Sequence, residues 1–239
     1  MLNNANQRAF ARGEASAVSF DEGLRRYMLR VYNLMVSGVL LTGIVSLLVS
    51  TQPELMRALF GTPLRWLLML APFAFVMVLS FGVNKLSPQA ATGIFFAFAA
   101  TMGLSLSSIF LAYTGGSIAR VFFITAATFA AMSLYGYTTK ADLSRFGSFL
   151  VMGLFGLIIA SLVNMFFPSG ALNFAISVIG VLIFVGLTAW DTQKIKEDFY
   201  GLPGGALVAK SAVMGALTLY LDFINLFIYL LRLLGSRND

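Results

Sequence analysis

Seven stretches of this chain are apolar for long enough to cross a bilayer, and polar or turn-forming residues separate them. A membrane helix needs about 20 mostly apolar residues. Such runs cover 28–50, 64–83, 90–112, 118–137, 146–167, 171–191 and 206–234. The first stops before Thr51-Gln52-Pro53-Glu54 and the fifth at Pro168-Ser169-Gly170, while Pro72 inside the second predicts a kink. The connections are short, so consecutive helices should run antiparallel and pack as neighbours. Residues 1–24 read as a polar cytosolic N-terminal segment, too polar for a cleaved signal peptide. Residues 25–239 read as one seven-helix transmembrane domain. Residues 192–205, TQKIKEDFYGLPGG, form the most polar internal loop.

Polar positions inside the spans recur at helical spacing. On the seventh, Ser211, Gly215, Thr218, Asp222, Asn225, Tyr229 and Arg232 follow alternating steps of four and three and make one stripe. On the sixth, Ser177, Gly180, Thr188 and Asp191 share a face. Lipid does not tolerate such stripes, so both should point into the bundle, with the seventh helix central. Small residues let membrane helices approach closely. Gly153, Gly156, Ala160 and Asn164 form such a face on the fifth span. In TMGLSLSS of the third, the serines either line a water path or bond their own backbone.

Composition agrees. Of 239 residues, 59% are hydrophobic and 11% charged, against about 25% charged in a soluble domain. Mean hydropathy is +0.86. The fold class is all-α: a polytopic membrane protein. There is no cysteine, which excludes disulfides, thiolate metal sites and cysteine nucleophiles, and no histidine. Any pH sensing must therefore rest on a carboxylate or a lysine. The net charge of +6 is scattered between apolar segments with no basic-aromatic module, so no nucleic-acid partner is expected. Topology explains the charge better. With the N-terminus inside, Arg8, Arg12, Arg25, Arg26, Arg30, Lys85, Lys140, Arg145, Lys194, Lys196 and Lys210 lie inside, and Arg57, Arg65, Arg120, Arg232 and Arg237 outside. Eleven against five supports that orientation. Seven full crossings put the C-terminus outside; a re-entrant seventh segment would put it inside.

Eight of the ten acids (Glu14, Asp21, Glu22, Glu54, Asp142, Glu197, Asp198 and Asp239) fall in tails or loops and read as solvated. Asp191 and Asp222 do not. An acid at the centre of a membrane helix costs roughly 2.5–3.5 kcal/mol on insertion scales. On adjacent antiparallel helices the two can meet, and two carboxylates in hydrogen-bond range do not both ionise readily; one would keep a proton. That would make a pH switch without histidine. The depths conflict, however. If the seventh helix enters the membrane at Lys210, Asp222 lies about 18 Å deeper at about 1.5 Å per residue, whereas Asp191 sits near the inner surface. A pair stays open, and so does the alternative in which Asp191 caps a helix end and Asp222 bonds a Ser, Thr or backbone group.

Three segments resemble a known family: AMSLYGYTTKADLSRFGSFLVMGLFGLIIASLVN, GVLIFVGLTAWDTQKIK and GALTLYLDFINLFIYLLRLLG. They are similar to the bacterial branch of the Bax inhibitor family (transmembrane Bax-inhibitor-motif proteins), and the likeness runs from Tyr27 onward. The resemblance implies a seventh helix wrapped by the other six. It implies that Asp191 and Asp222 pair as a pH-sensitive latch near the cytosolic side of a pore, with a calcium leak gated by proton release. One departure stands out. Some bacterial relatives carry a basic cluster at the inner end of the second helix, where this chain reads SFGVNKLSPQ. Asn84 and Lys85 are the nearest candidates, and lysine lacks the bidentate fork of arginine; Lys85 also reads simply as a topology charge.

The expectation is a pH-sensitive calcium leak channel of the bacterial inner membrane, with the lipid bilayer, calcium and protons as partners. Thr188, Thr218, Asn225 and Tyr229 are supporting polar groups. Asp191 and Asp222 would hold calcium only transiently, since calcium prefers several oxygen ligands; no other cofactor is expected. One alternative is an interaction protein that works through residues 1–24 and regulates a membrane quality-control protease or a stress response. Another is a proton-coupled transporter. An enzyme is not expected: the Gly-x-Gly-Asp signature of presenilin-type proteases is absent, because Asp222 follows Leu219-Tyr220-Leu221, and no Pro-Ala-Leu motif lies downstream.

Overall fold

The computed structural model describes the backbone of residues 2–238 and the side chains of 22–238. The cytosolic segment expected over 1–24 therefore falls, through residue 21, outside the residues whose side chains are described. The helices are α1 (Leu2–Ser50), α2 (Pro53–Phe60), α3 (Leu64–Gly82), α4 (Pro88–Leu106), α5 (Ile109–Ala112), α6 (Gly115–Thr138), α7 (Ser144–Phe166), α8 (Gly170–Asp198) and α9 (Ala206–Leu234), with a 3-10 turn at Phe199–Gly201. Seven segments are long and apolar enough to span a membrane: Glu22–Ser50 of α1, α3, α4 continued by α5, α6, α7, α8 with its 3-10 turn, and α9. The protein is an all-α polytopic membrane protein.

Local chemistry sets three of the helix starts. Ser87, Thr114 and Ser169 accept hydrogen bonds from Ala90 N (3.2 Å), Ser117 N (3.3 Å) and Leu172 N (3.4 Å), capping α4, α6 and α8. Exposed Asp142 accepts from Ser144 N at 2.8 Å in the turn into α7. The Ser144 hydroxyl, and then its N–H, hold that carboxyl below the usual carboxylate range. Gly204 (φ 100°) and Gly205 (φ 61°) make the turn before α9 in a left-handed conformation that favours glycine.

Two boundaries differ from the sequence pattern. The sixth span does not stop at 191, because α8 runs on to Asp198. Thr192, Gln193 and Ile195 turn inward and are buried. Gln193 accepts from Leu143 N at 2.9 Å and donates to the Ala141 carbonyl at 2.8 Å, so it clamps the α6–α7 turn. The expected polar loop shrinks to 202–205. The stretch after the first span, in turn, holds α2, whose Met56 and Leu59 join Val49 and Leu68 in a small separate apolar cluster.

Helix α9 is the axis. Of its apolar 18-residue stretch 67% is buried, against 17% in α3 and α7. Helices α1, α4, α6 and α8 border it, while α3 packs on α4 and α7 on α8. The expected wrap by six helices is thus a ring of four with two outer helices. Tyr220 of α9 is fully buried, edge-on to Phe95 and Phe98 of α4. Thr42 Oγ1 of α1 donates to the Ala99 carbonyl (2.8 Å), which leaves the Tyr220 hydroxyl to donate to Thr42 (2.7 Å). Three helices are joined at that point.

Helix α9 crosses completely rather than turning back. At one end of the bundle, here the base, Lys210 Nζ donates to the Asn84 carbonyl (2.9 Å) and Ser211 pairs with Tyr27 (3.0 Å). At the other end, the rim, Ser236 N donates to Ser117 Oγ (2.8 Å) and Asn238 N to the Ala112 carbonyl (3.1 Å). Residue 238 therefore lies at the opposite end from Tyr27.

The contact face of α7 keeps Gly153, Ala160 and Asn164 of the expected one and departs from it at Gly156. It presents Gly147, Leu150 and Leu157. Gly153 packs on Ile183, but Gly156 is exposed with open space around it. A Cβ on Gly147 would overlap the Trp190 ring, and one on Gly136 of α6 would overlap the Ala189 carbonyl. These two positions bring α6 and α7 hard against α8. The serines of α4 bond backbone. Ser107 and Ser108 donate to the Leu104 and Ser105 carbonyls (2.7 and 3.0 Å), and Ser105 reaches across to the Leu68 carbonyl at 2.8 Å. Pro72, four residues after Leu68, has no N–H to give that carbonyl. Ser105 replaces it, as membrane helices with proline require.

Two measurements check this packing. Ser105→Ala should lower unfolding stability in detergent by about 1–3 kcal/mol, the cost of an orphaned buried acceptor. In a Pro72→Ala background, which restores the N–H, the same change should be nearly neutral. Gly147→Ala should cost about 1–3 kcal/mol by overpacking, with a clear fall in Tm, while Gly156→Ala should leave Tm unchanged or raise it.

Candidate functional site

Helices α8 and α9 run antiparallel and meet at three levels. Nearest the base, Gly215 packs on Ile195, where a Cβ would lie 3.1 Å from Ile195 Cγ2. Above it, the Asp191 and Asp222 carboxyl groups lie against each other. Towards the rim, Tyr229 lies over Gly180. The depth conflict disappears because α8 continues past Asp191, which places that residue about 10 Å inside its helix at about 1.5 Å per residue. The first turns of α9 meanwhile stand at the base beside Asn84.

Both acids are buried, with 9% of Asp191 and 5% of Asp222 exposed. Among the described residues no N–H or hydroxyl donor reaches Asp222 Oδ2. An ionised carboxylate only accepts hydrogen bonds, so the two carboxyl groups can bond only if one carries a proton. The cation acting on Asp191 is Lys194, whose ammonium lies 5.2 Å from the Trp190 ring. Among the described residues no third acid joins the pair to make a metal cluster.

The other candidates fall around this centre. Thr188 is buried and donates to the Phe184 carbonyl (2.7 Å), and Asn225 donates to the Leu221 carbonyl (2.8 Å), each within its own helix. Thr218 is half-buried, one turn to the base side of Asp222. The Tyr229 ring stacks on Phe184 with centroids 5.8 Å apart. Arg232 sits over that ring at 5.4 Å. Lys85 is exposed in the α3–α4 turn and forms no salt bridge with either aspartate. The structure does not bring it to the pair, because its turn faces outward at the base.

Three residues that sequence reasoning passed over belong to this region. Tyr32 of α1 pairs with Ser133 of α6 at 2.5 Å, and Ser133 pairs with Thr192 at 3.0 Å, next to Asp191. Ser133 sits among apolar neighbours and carries no periodic signal, while Thr192 looks like the start of a charged loop. At the rim a polar cavity of about 550 Å³ is lined by Ser161, Asn164, Asn173, Ser177, Arg232 and Arg237 among others. Tyr229 and Gly180 close the packing between that cavity and the aspartates.

Comparisons with known proteins identify the family of the chain. Residues 24–239 match the family described as "Inhibitor of apoptosis-promoting Bax1". The chain is 48% identical over 225 residues to "Inner membrane protein YbhL" of Escherichia coli K12, covering 93% of this chain and 96% of that one. It is 49% identical over 221 residues to a protein of Rickettsia prowazekii, covering 92% and 94% respectively. To a protein of Lactococcus lactis it is 40% identical over 223 residues, covering 91% and 95%. An all-α bundle of seven spanning helices, matched over nearly its whole length, makes this chain an integral membrane protein that belongs to the Bax inhibitor family.

Proposed function

We propose that this protein is a pH-sensitive calcium leak channel, closed in the conformation described, with Asp191 and Asp222 as its latch. The observation that carries the reading is a pair of buried carboxyl groups in contact, one of whose oxygens meets no other donor. With one proton on the pair, a hydrogen bond ties α8 to α9. Loss of that proton leaves two negative charges in contact. At about 4 Å and an effective dielectric constant near 20, such a pair repels by about 4 kcal/mol. That exceeds the roughly 1 kcal/mol net worth of a typical hydrogen bond. The repulsion separates the two helices at the middle of their three contact levels. The freed carboxylates, with the Asn225 amide oxygen, then present oxygen ligands to a passing divalent cation. Fewer than the usual six to eight ligands converge there, which suits passage over capture. The leak is therefore low in acid and rises with pH.

On this reading the aspartates gate and carry no catalytic role. Tyr229, packed on Gly180 beneath the rim cavity, is the second barrier. Arg232 and Arg237 in that cavity repel cations and keep the flux a slow leak. The base faces the cytoplasm across a bacterial inner membrane. The lysine and arginine excess on that end supports the orientation, and the printed name of the Escherichia coli relative supports the compartment.

Calcium flux into liposomes holding the purified protein, from pH 5 to pH 8, tests the latch. The wild type should show a leak that increases several-fold with pH, and Asp191→Asn and Asp222→Asn should each flatten that dependence. If both variants keep the wild-type profile, the latch is wrong. No flux at any pH would favour a partner-binding protein, and charge-balanced exchange a transporter. Topology is tested separately, helped by the absence of native cysteine. A membrane-impermeant maleimide should label Gln52→Cys in intact cells and Lys140→Cys only after permeabilisation; the reverse pattern overturns the orientation.

A further inference from the structure

A second cavity, on the flank of the bundle, borders the aspartate region at Tyr32 and Ser133. It lies between α1 and α6, with a volume of about 710 Å³, within the roughly 300–1,000 Å³ of small-ligand sites. Helices α1 and α6 border it but scarcely pack on each other; they meet at the Tyr32–Ser133 hydrogen bond. Phe122, Phe129 and Phe223 form its floor, and Leu29, Val36 and Leu134, all exposed, form its lips. Both helices are membrane spans, so the cleft opens sideways into hydrocarbon rather than water.

Its length and its charge point to one kind of occupant. Along α1 the lining runs from Arg25 to Leu40, about 22 Å at about 1.5 Å per residue. One leaflet of hydrocarbon is about 15 Å deep, half of a core of about 30 Å. A lipid tail lying along the bilayer normal fits that span. The base end is cationic. Arg25 lines it, and Lys196 stands beside it, donating to the Tyr137 carbonyl (2.8 Å) with its ammonium 5.7 Å from the Tyr137 ring. Glu22, one turn before Arg25, is engaged by Arg26 at 3.9 Å. A phosphate is the complement of such a mouth.

We propose that the cleft between α1 and α6 binds one acyl chain of an anionic phospholipid from the base-side leaflet, with Arg25 at its phosphate. Binding of this lipid does not depend on ion conduction, and the site stands whether or not the protein leaks calcium. It shares one wall with the aspartate region through Ser133, which bonds Thr192.

The test uses full-length protein in phosphatidylcholine–phosphatidylglycerol liposomes with trace phosphatidylglycerol bearing a diazirine on its acyl chain. After irradiation the labelled peptides are mapped by mass spectrometry. Label should concentrate several-fold on residues 28–40 and 122–137 relative to α7, which is also lipid-exposed. Ala126→Phe with Ala130→Phe, which fills the cleft, should remove most of that excess and leave α7 labelling unchanged. Arg25→Gln, an exposed change that needs no repacking, should reduce the preference for the phosphatidylglycerol probe over its phosphatidylcholine counterpart several-fold. Even labelling of α1, α6 and α7 overturns the proposal. So does a lipid preference unmoved by Arg25→Gln.

Discussion

Two carboxyl groups buried against each other inside a bundle surrounded by lipid can bond only through a proton. An ionised carboxylate left alone there would cost several kcal/mol or more, beyond what any single contact in the bundle returns. The architecture answers that demand by geometry. Asp222 sits on the helix most enclosed by others, and Asp191 faces it from the helix with which α9 shares its most extensive contact. The centrality of α9 follows from the same need, because a stripe carrying Asp222, Asn225 and Arg232 has no place against lipid tails.

The pair can meet only because the backbones around it come close. Helix α8 is wedged between α6 and α7 by Gly136 at the Ala189 carbonyl and Gly147 at the Trp190 ring, and it takes the Tyr229 ring at Gly180. Between these contacts, Ser and Thr hydroxyls return to backbone carbonyls, as at Thr125, Thr188 and Ser177. Hydrocarbon forces this economy, since no water is present to take an unpaired group. The Ser105–Leu68 bond is the same rule working between helices, with a side chain supplying the donor that Pro72 lacks.

The two ends of the bundle differ in kind. At the base, side chains clamp turns: Gln193 holds the α6–α7 turn, and Lys210 holds the α3–α4 turn. At the rim, the chain after α9 lies along residues 110–117, joined by two backbone bonds, by the Ser117 hydroxyl and by the Asn238 side chain, whose amide donates to carbonyls of Phe110, Leu111 and Tyr113. A polar cavity with two arginines opens beside it. The aspartates lie nearer the base, beneath the Tyr229–Gly180 contact, so the same helix pair is closed at two successive levels.

The sequence by itself determined the class, the seven spans, the extent of the seventh helix, its central place, and the two acids that had no solvated role. Each of these follows from transfer free energy, which is a property of residue type and spacing along one helix. The tertiary structure alone decided the contact between Asp191 and Asp222. That contact depends on where α8 ends, and α8 passes Asp191 because Thr192 and Ile195 find partners on other helices and Gln193 in the α6–α7 turn. The contact face of α7 was also undecided, since Gly156 and Gly147 look alike until Trp190 is placed against one of them. Lys85 had the right charge, but its position at the pair depended on the orientation of a turn. Local sequence sets how each segment partitions between water and lipid; register, helix rotation and the clefts between helices arise only when the segments pack together.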